Sequence, residues 1–130
     1  MRLAFLTHEP YFPPSGGGSA EAIYLIRELV RRGHEVHLFC PVFENWTSVA
    51  DDHGIQIHPF TRWPMGRYTA YRNFKYLLYP AALARHADQT LKAIRRQGTP
   101  GFQFDAILSQ HTISAVAAGL LKRRWRVPIV

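Results

Sequence analysis

Apolar positions along the chain alternate between two spacings. Arg2 to Thr7 is a short apolar run, fitting a buried strand that begins almost at the first residue. After Ser19 the spacing changes, with Ala22, Ile23, Ile26, Leu29 and Val30 recurring at three- and four-residue steps along one helix face. Ser19 or Gly18 is the expected cap of that helix, Glu21 suits its first turn and Arg31 and Arg32 its last, and Gly33 supplies a left-handed stop. A second strand is expected at Glu35–Cys40, halted by Pro41. A third is expected at Ile55–Phe60, weakened in its pairing by Pro59. A long helical region from about Tyr68 to Gln97 follows, ended by Gly98. Pro80 is expected to divide it, because a proline inside a helix costs about 3 kcal/mol. Leu83, Ala87, Leu91 and Ile94 mark the buried stripe of its second half. Phe104–Ser109 reads as a fourth strand, Ile113, Val116, Ala117, Leu120 and Leu121 as a helix, and Val127–Val130 as the start of a fifth strand.

Strands alternating with helices imply an α/β domain spanning residues 1–130, with a parallel sheet covered on both faces. Right-handed crossovers make it a Rossmann-like doubly wound sheet with expected strand order 3-2-1-4-5. The fifth strand has no helix to cover it, so the fold is expected to be incomplete at the C-terminus and to continue in a larger protein.

Composition narrows the class. With 130 residues, 47% of them hydrophobic and 19% charged, the chain can build one ordinary globular core. The single cysteine, Cys40, excludes a disulfide framework and a cysteine-based zinc site. No run approaches 18 apolar residues, and His8 and Glu9 come too early for a signal peptide, so a reducing, cytoplasmic setting is expected. The net charge of +7 is unevenly spread. Residues 1–60 hold four Lys/Arg against seven Asp/Glu, whereas residues 61–100 hold eight against Asp88 alone. Such a basic block attracts phosphate-bearing partners, or serves only as a solvated helix face.

In a doubly wound sheet, ligands bind beyond the carboxyl ends of the strands where their order reverses, here between strands one and four. Two connections meet there, His8–Gly18 and Gln110-His111-Thr112. The first ends in Gly16, Gly17 and Gly18 directly before a helix. Bare backbone N–H groups at a helix start suit a phosphate or carboxylate. The alternative is a connection whose glycines merely ease the turn. The absence of Gly-Lys-Ser/Thr excludes a nucleoside triphosphate loop. The third glycine of the dinucleotide fingerprint is also missing, and Cys40-Pro41 stands where an acidic ribose ligand belongs. A nicotinamide-dependent oxidoreductase is therefore disfavoured.

Pro14-Ser15-Gly16-Gly17-Gly18, the helix closing as Leu29-Val30-Arg31-Arg32-Gly33-His34-Glu35-Val36, and the strand ending at Pro41 resemble the amino-terminal domain of family 4 glycosyltransferases of the GT-B fold. Phe104-Asp105-Ala106-Ile107-Leu108-Ser109-Gln110-His111 resembles that family's fourth strand and Arg126-Val127-Pro128-Ile129-Val130 its fifth. The resemblance implies two Rossmann-like domains facing a cleft, which move a sugar from a nucleotide-sugar donor to a sugar or lipid-linked acceptor. It implies retention, no cofactor and no required metal. This chain would be the acceptor-side half, and the donor-binding C-terminal domain, with its ribose and diphosphate ligands, would lie outside it. The glycine-rich turn, carried onto Gly16, Gly17, Gly18 and Ser19, would lie near donor phosphates and acceptor. The family often places a histidine just past the fourth strand. Here Gln110 takes that position and His111 follows, so either Gln110 hydrogen-bonds sugar hydroxyls without proton chemistry or His111 acts after a one-residue shift. A different class remains open: a stand-alone Rossmann-like module that binds a nucleotide or phosphosugar without catalysis.

Other residues point to structure. His34 and His37 face opposite sides of a strand boundary, and the remaining histidines show no ligand spacing, so no metal site is expected. Thr7, Ser109 and Ser114 lack a nucleophile elbow and read as structural or capping groups. Asp105, opening the fourth strand, reads as a partner for loop backbone groups. The segment from Arg62 to Tyr76 interleaves cations with aromatics, with Arg62, Arg67, Tyr71, Arg72 and Lys75 as its candidate contacts. It reads as an acceptor-side surface, as a peripheral patch at the inner face of the membrane, as a surface for single-stranded nucleic acid, or as an amphipathic helix with solvated arginines. No nucleic-acid fold signature accompanies it.

Overall fold

The computed structural model describes residues 1–8, 17–41, 54–60 and 72–130, and the side chains of all of these except 18, 19 and 72–77. Among the described residues four strands, β1 (Arg2–Leu6), β2 (Glu35–Pro41), β3 (Gln56–Phe60) and β4 (Ala106–Ser109), form one parallel sheet in the order β3-β2-β1-β4. Three helices flank it: α1 (Gly17–Arg31), α2 (Arg72–Gln97) and α3 (His111–Trp125). This is the doubly wound α/β arrangement, with the order reversing between β1 and β4.

Period-two alternation along the strands feeds two cores. Leu3, Phe5, Val36, Leu38, Cys40 and Ala106 pack with Ala22, Ile23 and Ile26 of α1. On the other face, Ala4, Leu6, Phe39 and Ile107 pack with Tyr79, Leu83, Ala87 and Leu91 of α2 and Ala117, Ala118 and Leu121 of α3. Both faces of the sheet are thereby dry, which is why β1 and β2 read as nearly continuous apolar runs.

α1 closes as its sequence requires. Gly33 sits at φ +83°, its N–H bonds the carbonyl of Val30 at 2.9 Å, and the N–H of His34 bonds that of Leu29 at 3.1 Å. This paired bond pattern satisfies the last carbonyls of the helix. Glu28 accepts from both Arg31 and Arg32 at 2.7 Å, and these hydrogen bonds lower its carboxyl pKa to about 2. Pro59 lies on β3, an edge strand, where a missing donor is tolerated. Asp105 accepts the backbone N–H of Arg2 at 2.6 Å, tying the starts of β1 and β4.

Three expectations need correction. α1 starts at Gly17, inside the glycine run, so Glu21 falls beyond its first turn and Gly18 and Ser19 are helical residues rather than caps. α2 is one helix through Pro80, not two. The lost hydrogen bond is outweighed by burial on both sides of it, since Tyr79 and Leu83 are wholly buried. The fifth strand is reduced to one parallel bridge, Ile107 with Ile129, on the free edge of β4. Its two bonds, Ile107 N–H to the Pro128 carbonyl and Val130 N–H to that of Ile107, are each 2.9 Å long.

Candidate functional site

The carboxyl ends of β1 and β4 lie side by side, with Leu6 opposite Ser109. The residues following them are locked together. The N–H of Gln110 bonds the Leu6 carbonyl at 3.0 Å, and the Thr7 hydroxyl donates to Gln110 Oε1 at 3.2 Å. Thr7 is itself fixed, because its N–H bonds the Phe39 carbonyl at 3.1 Å and its carbonyl accepts the Tyr79 hydroxyl at 3.4 Å. The two strand exits therefore form one rigid rim at the switch point.

One residue further on, His8 and His111 meet edge to face, their ring centroids 5.1 Å apart at 80°. His111 is exposed and is the first residue of α3, yet its φ is +65°. A non-glycine residue in that region costs about 1–2 kcal/mol, and strained residues of this kind cluster at functional sites. Gln110 occupies the N-cap of α3 in extended conformation and makes no side-chain cap bond. Its side-chain carbonyl accepts the Thr7 hydroxyl at the rim rather than capping the helix.

The N-termini of α1 and α3 follow β1 and β4 respectively, so both helix starts open on this edge of the sheet. The first four N–H groups of a helix have no partner within it and carry partial positive charge. A Cβ added at Gly17 meets nothing within 4 Å. Among the described residues no neighbour therefore requires glycine there, and close approach of an outside group is a reason for it. Chemically, the rim offers hydrogen bonding from Gln110, two imidazoles able to take or give a proton, and helix-start amides suited to an anion.

Of the sequence-derived candidates, Gln110 and His111 stand together at the rim, and Gly17, Gly18 and Ser19 form the first turn of α1. Gly16, Arg62, Arg67 and Tyr71 lie outside the described residues, and Arg72 and Lys75 fall in α2 with side chains outside the description. Sequence reasoning passed over His8 as a site residue and treated Thr7 as structural. The signal was their place one and two residues past β1, matching Gln110 and His111 past β4. Ser114 is completely buried with no partner for its hydroxyl, which bars it from acting as an accessible nucleophile.

A second histidine group lies on the sheet away from the rim. His37 is 1% exposed, and its Nε2 lies 2.9 Å from a Glu35 oxygen, which fixes that nitrogen as the donor. Its Nδ1 lies 2.8 Å from His58 Nε2, a hydrogen bond between the two rings. His86 Nε2 donates to the His58 carbonyl at 3.3 Å, and His58 stacks on Phe39 at 4.9 Å. Burial, then the neighbouring His37 and His86, push the His58 pKa down to about 4. The His37 hydrogen bond holds the Glu35 carboxyl below its usual value. Among the described residues no three His, Cys, Asp or Glu side chains are arranged to hold a metal ion.

Residues 16–130 match the family described as glycosyl transferase 4-like domain. Among curated proteins no relative matches the chain.

Proposed function

Because this chain belongs to the glycosyl transferase 4-like family, we propose that it forms the acceptor-side half of a retaining transferase that moves a sugar from a nucleotide-sugar donor to a sugar or lipid-linked acceptor. The observation that carries this reading is the Thr7–Gln110 bond beside the His8–His111 pair at the switch point. In this reading Gln110 holds sugar hydroxyls, since a primary amide cannot carry a proton at neutral pH. His111 is the group able to exchange one with the acceptor hydroxyl as it attacks. The amides of Gly17, Gly18 and Ser19, with those of Gly16, stabilise negative charge on the departing diphosphate or fix an acceptor anion. No metal or organic cofactor has a part in it.

The donor's ribose and diphosphate are assigned to a second domain, so this chain alone is expected to show negligible transfer. The run holding Arg62, Arg67, Tyr71, Arg72 and Lys75 is assigned, on its charge and aromatic content, to the phosphate of a lipid-linked acceptor or to headgroups at the inner face of the membrane. Among the described residues no helix is long and apolar enough to cross a membrane. A cytoplasmic protein in peripheral contact with the bilayer is the corresponding proposal.

Calorimetric titration tests this assignment. Nucleotide sugars and sugar phosphates are expected to bind weakly and saturably, and Gln110→Ala to weaken that binding about tenfold, roughly 1.4 kcal/mol. Saturable binding of a nicotinamide dinucleotide instead, or binding indifferent to Gln110→Ala, would overturn the reading. Sugar transfer by the purified chain alone would overturn the division of labour between two domains.

A further inference from the structure

A groove of about 520 Å³ runs between α2 and α3. Ala84 and Leu121 are buried at its floor, while Ala81, Arg85, Leu120 and Arg123 stand exposed along its walls. The two helices lead away from the carboxyl edge of the sheet, so the groove lies on the outer helical layer and contains no rim residue. Its character changes along its length. Leu120 in its wall is more than half exposed, and so are Leu78 and Val116, which precede Ala81 and Leu120 by one helical turn on the same helix faces. At its basic end sit Arg85, Lys92, Arg123 and Arg124 with a single carboxylate, Asp88.

Asp88 is already committed. It accepts Trp125 Nε1 at 3.2 Å, Lys92 at 3.0 Å and Arg124 at 2.9 Å. Burial pushes its pKa up, but the Lys92 and Trp125 hydrogen bonds and the Arg124 charge outweigh this and hold it low. Arg85 and Arg123 take part in no ion pair among the described residues. Among the described residues, four cations against one carboxylate leave the basic end with a net charge of about +3.

We propose that this groove docks an acidic amphipathic helix of a partner protein. Leu78, Ala81, Arg85, Asp88 and Lys92 recur at three- and four-residue steps, so they form one stripe about 21 Å long on α2. Val116, Leu120 and Arg123 or Arg124 form the matching stripe on α3. A ridge of apolar side chains fits between such stripes, with small Ala81 and Ala84 allowing close approach. Carboxylates on the same helix then meet Arg85 and Arg123. A second copy of this chain is disfavoured, because its groove brings the same positive charge. A bilayer rests on the rims of a concave surface and leaves the floor unfilled.

The test uses a synthetic helical peptide of about 16 residues (~24 Å) with leucines along one face and glutamates flanking them. Its scrambled isomer, and vesicles of phosphatidylcholine containing about a quarter phosphatidylglycerol, serve as the other arms. Saturable amide NMR shifts at Ala81, Ala84, Leu120 and Leu121 are expected with the ordered peptide. They should weaken at least tenfold in the paired variant Arg85→Glu with Arg123→Glu, and should decline as salt rises. Leu120→Glu provides an independent loss of binding should the paired variant fail the circular dichroism check for folding. Equal binding of the scrambled peptide, shifts produced only by vesicles, or shifts confined to residues outside the groove would each overturn the proposal.

Discussion

Lowering the pH from 7.5 towards 4 perturbs one buried group above the rest. Burial and the neighbouring His37 and His86 disfavour the charged form of His58 in the folded protein, where its ring stacks on Phe39. Its pKa falls from 6.5 to about 4 on folding. A depressed histidine pKa means that the unfolded chain binds the proton more readily. The stability owed to neutral His58 is thus complete above about pH 6.5, declines as pH falls through that value, and is gone near pH 4. Linkage sets the size at about 1.4 kcal/mol lost at pH 5.5, roughly tenfold in the folding equilibrium, and at most about 3 kcal/mol in all. Because His58 is only partly buried, solvent screening makes the larger figure an upper bound. Urea unfolding at pH 7.5, 6.5, 5.5 and 4.5 measures this directly. His58→Gln keeps a hydrogen-bonding amide but cannot titrate, so its stability should fall more gently between pH 6.5 and 4.5, by close to one proton at the steepest point. Carboxylates such as Glu35 take up protons in both proteins alike as pH falls, which makes the difference between the two curves the informative quantity. Identical pH slopes for wild type and His58→Gln would refute the argument.

Two local changes probe how the scaffold holds the rim. Gly33→Ala should cost about 1 kcal/mol, because the residue sits at φ +83° and a Cβ there meets no neighbour, leaving backbone conformation as the sole penalty; thermal melting reads it. Tyr79→Phe removes a buried hydroxyl from the Thr7 carbonyl and should cost about 1 kcal/mol, with the amide signals of Thr7 and Gln110 shifting in the NMR spectrum. Unchanged signals at both positions would show that the Tyr79 bond does not set the rim.

The local grammar of the chain was largely legible. Gly33 stops α1, Pro59 lies on an edge strand, and the alternation of strand and helix runs fixes the doubly wound order as far as β4. Errors came where long-range packing overrides local preference. Pro80 fails to break α2 because its neighbours Tyr79 and Leu83 are buried in the sheet's core, a fact invisible in a window of a few residues. The start of α1 inside Gly17–Ser19 likewise contradicts propensity. Glycine is a poor helix former, and no side chain there announces the turn. At the rim, Gln110 and His111 could be placed from strand order alone. Thr7 and His8 could not be joined to them, because the partners lie 103 residues apart and only the β1–β4 register brings them together. The same holds for His37 and His58, whose 21-residue separation hides a direct contact between neighbouring strands.

The central claim is that the joined exits of β1 and β4 receive a sugar ligand bearing phosphate. Site-resolved NMR titration of the chain with a sugar phosphate tests it most directly, following the imidazole signals of His8 and His111 together with the Gln110 side-chain amide. All three should move along one saturable curve. Ligand-induced shifts that leave these signals still and gather instead around Arg85 and Arg123 would place the ligand on the outer helices and contradict the account.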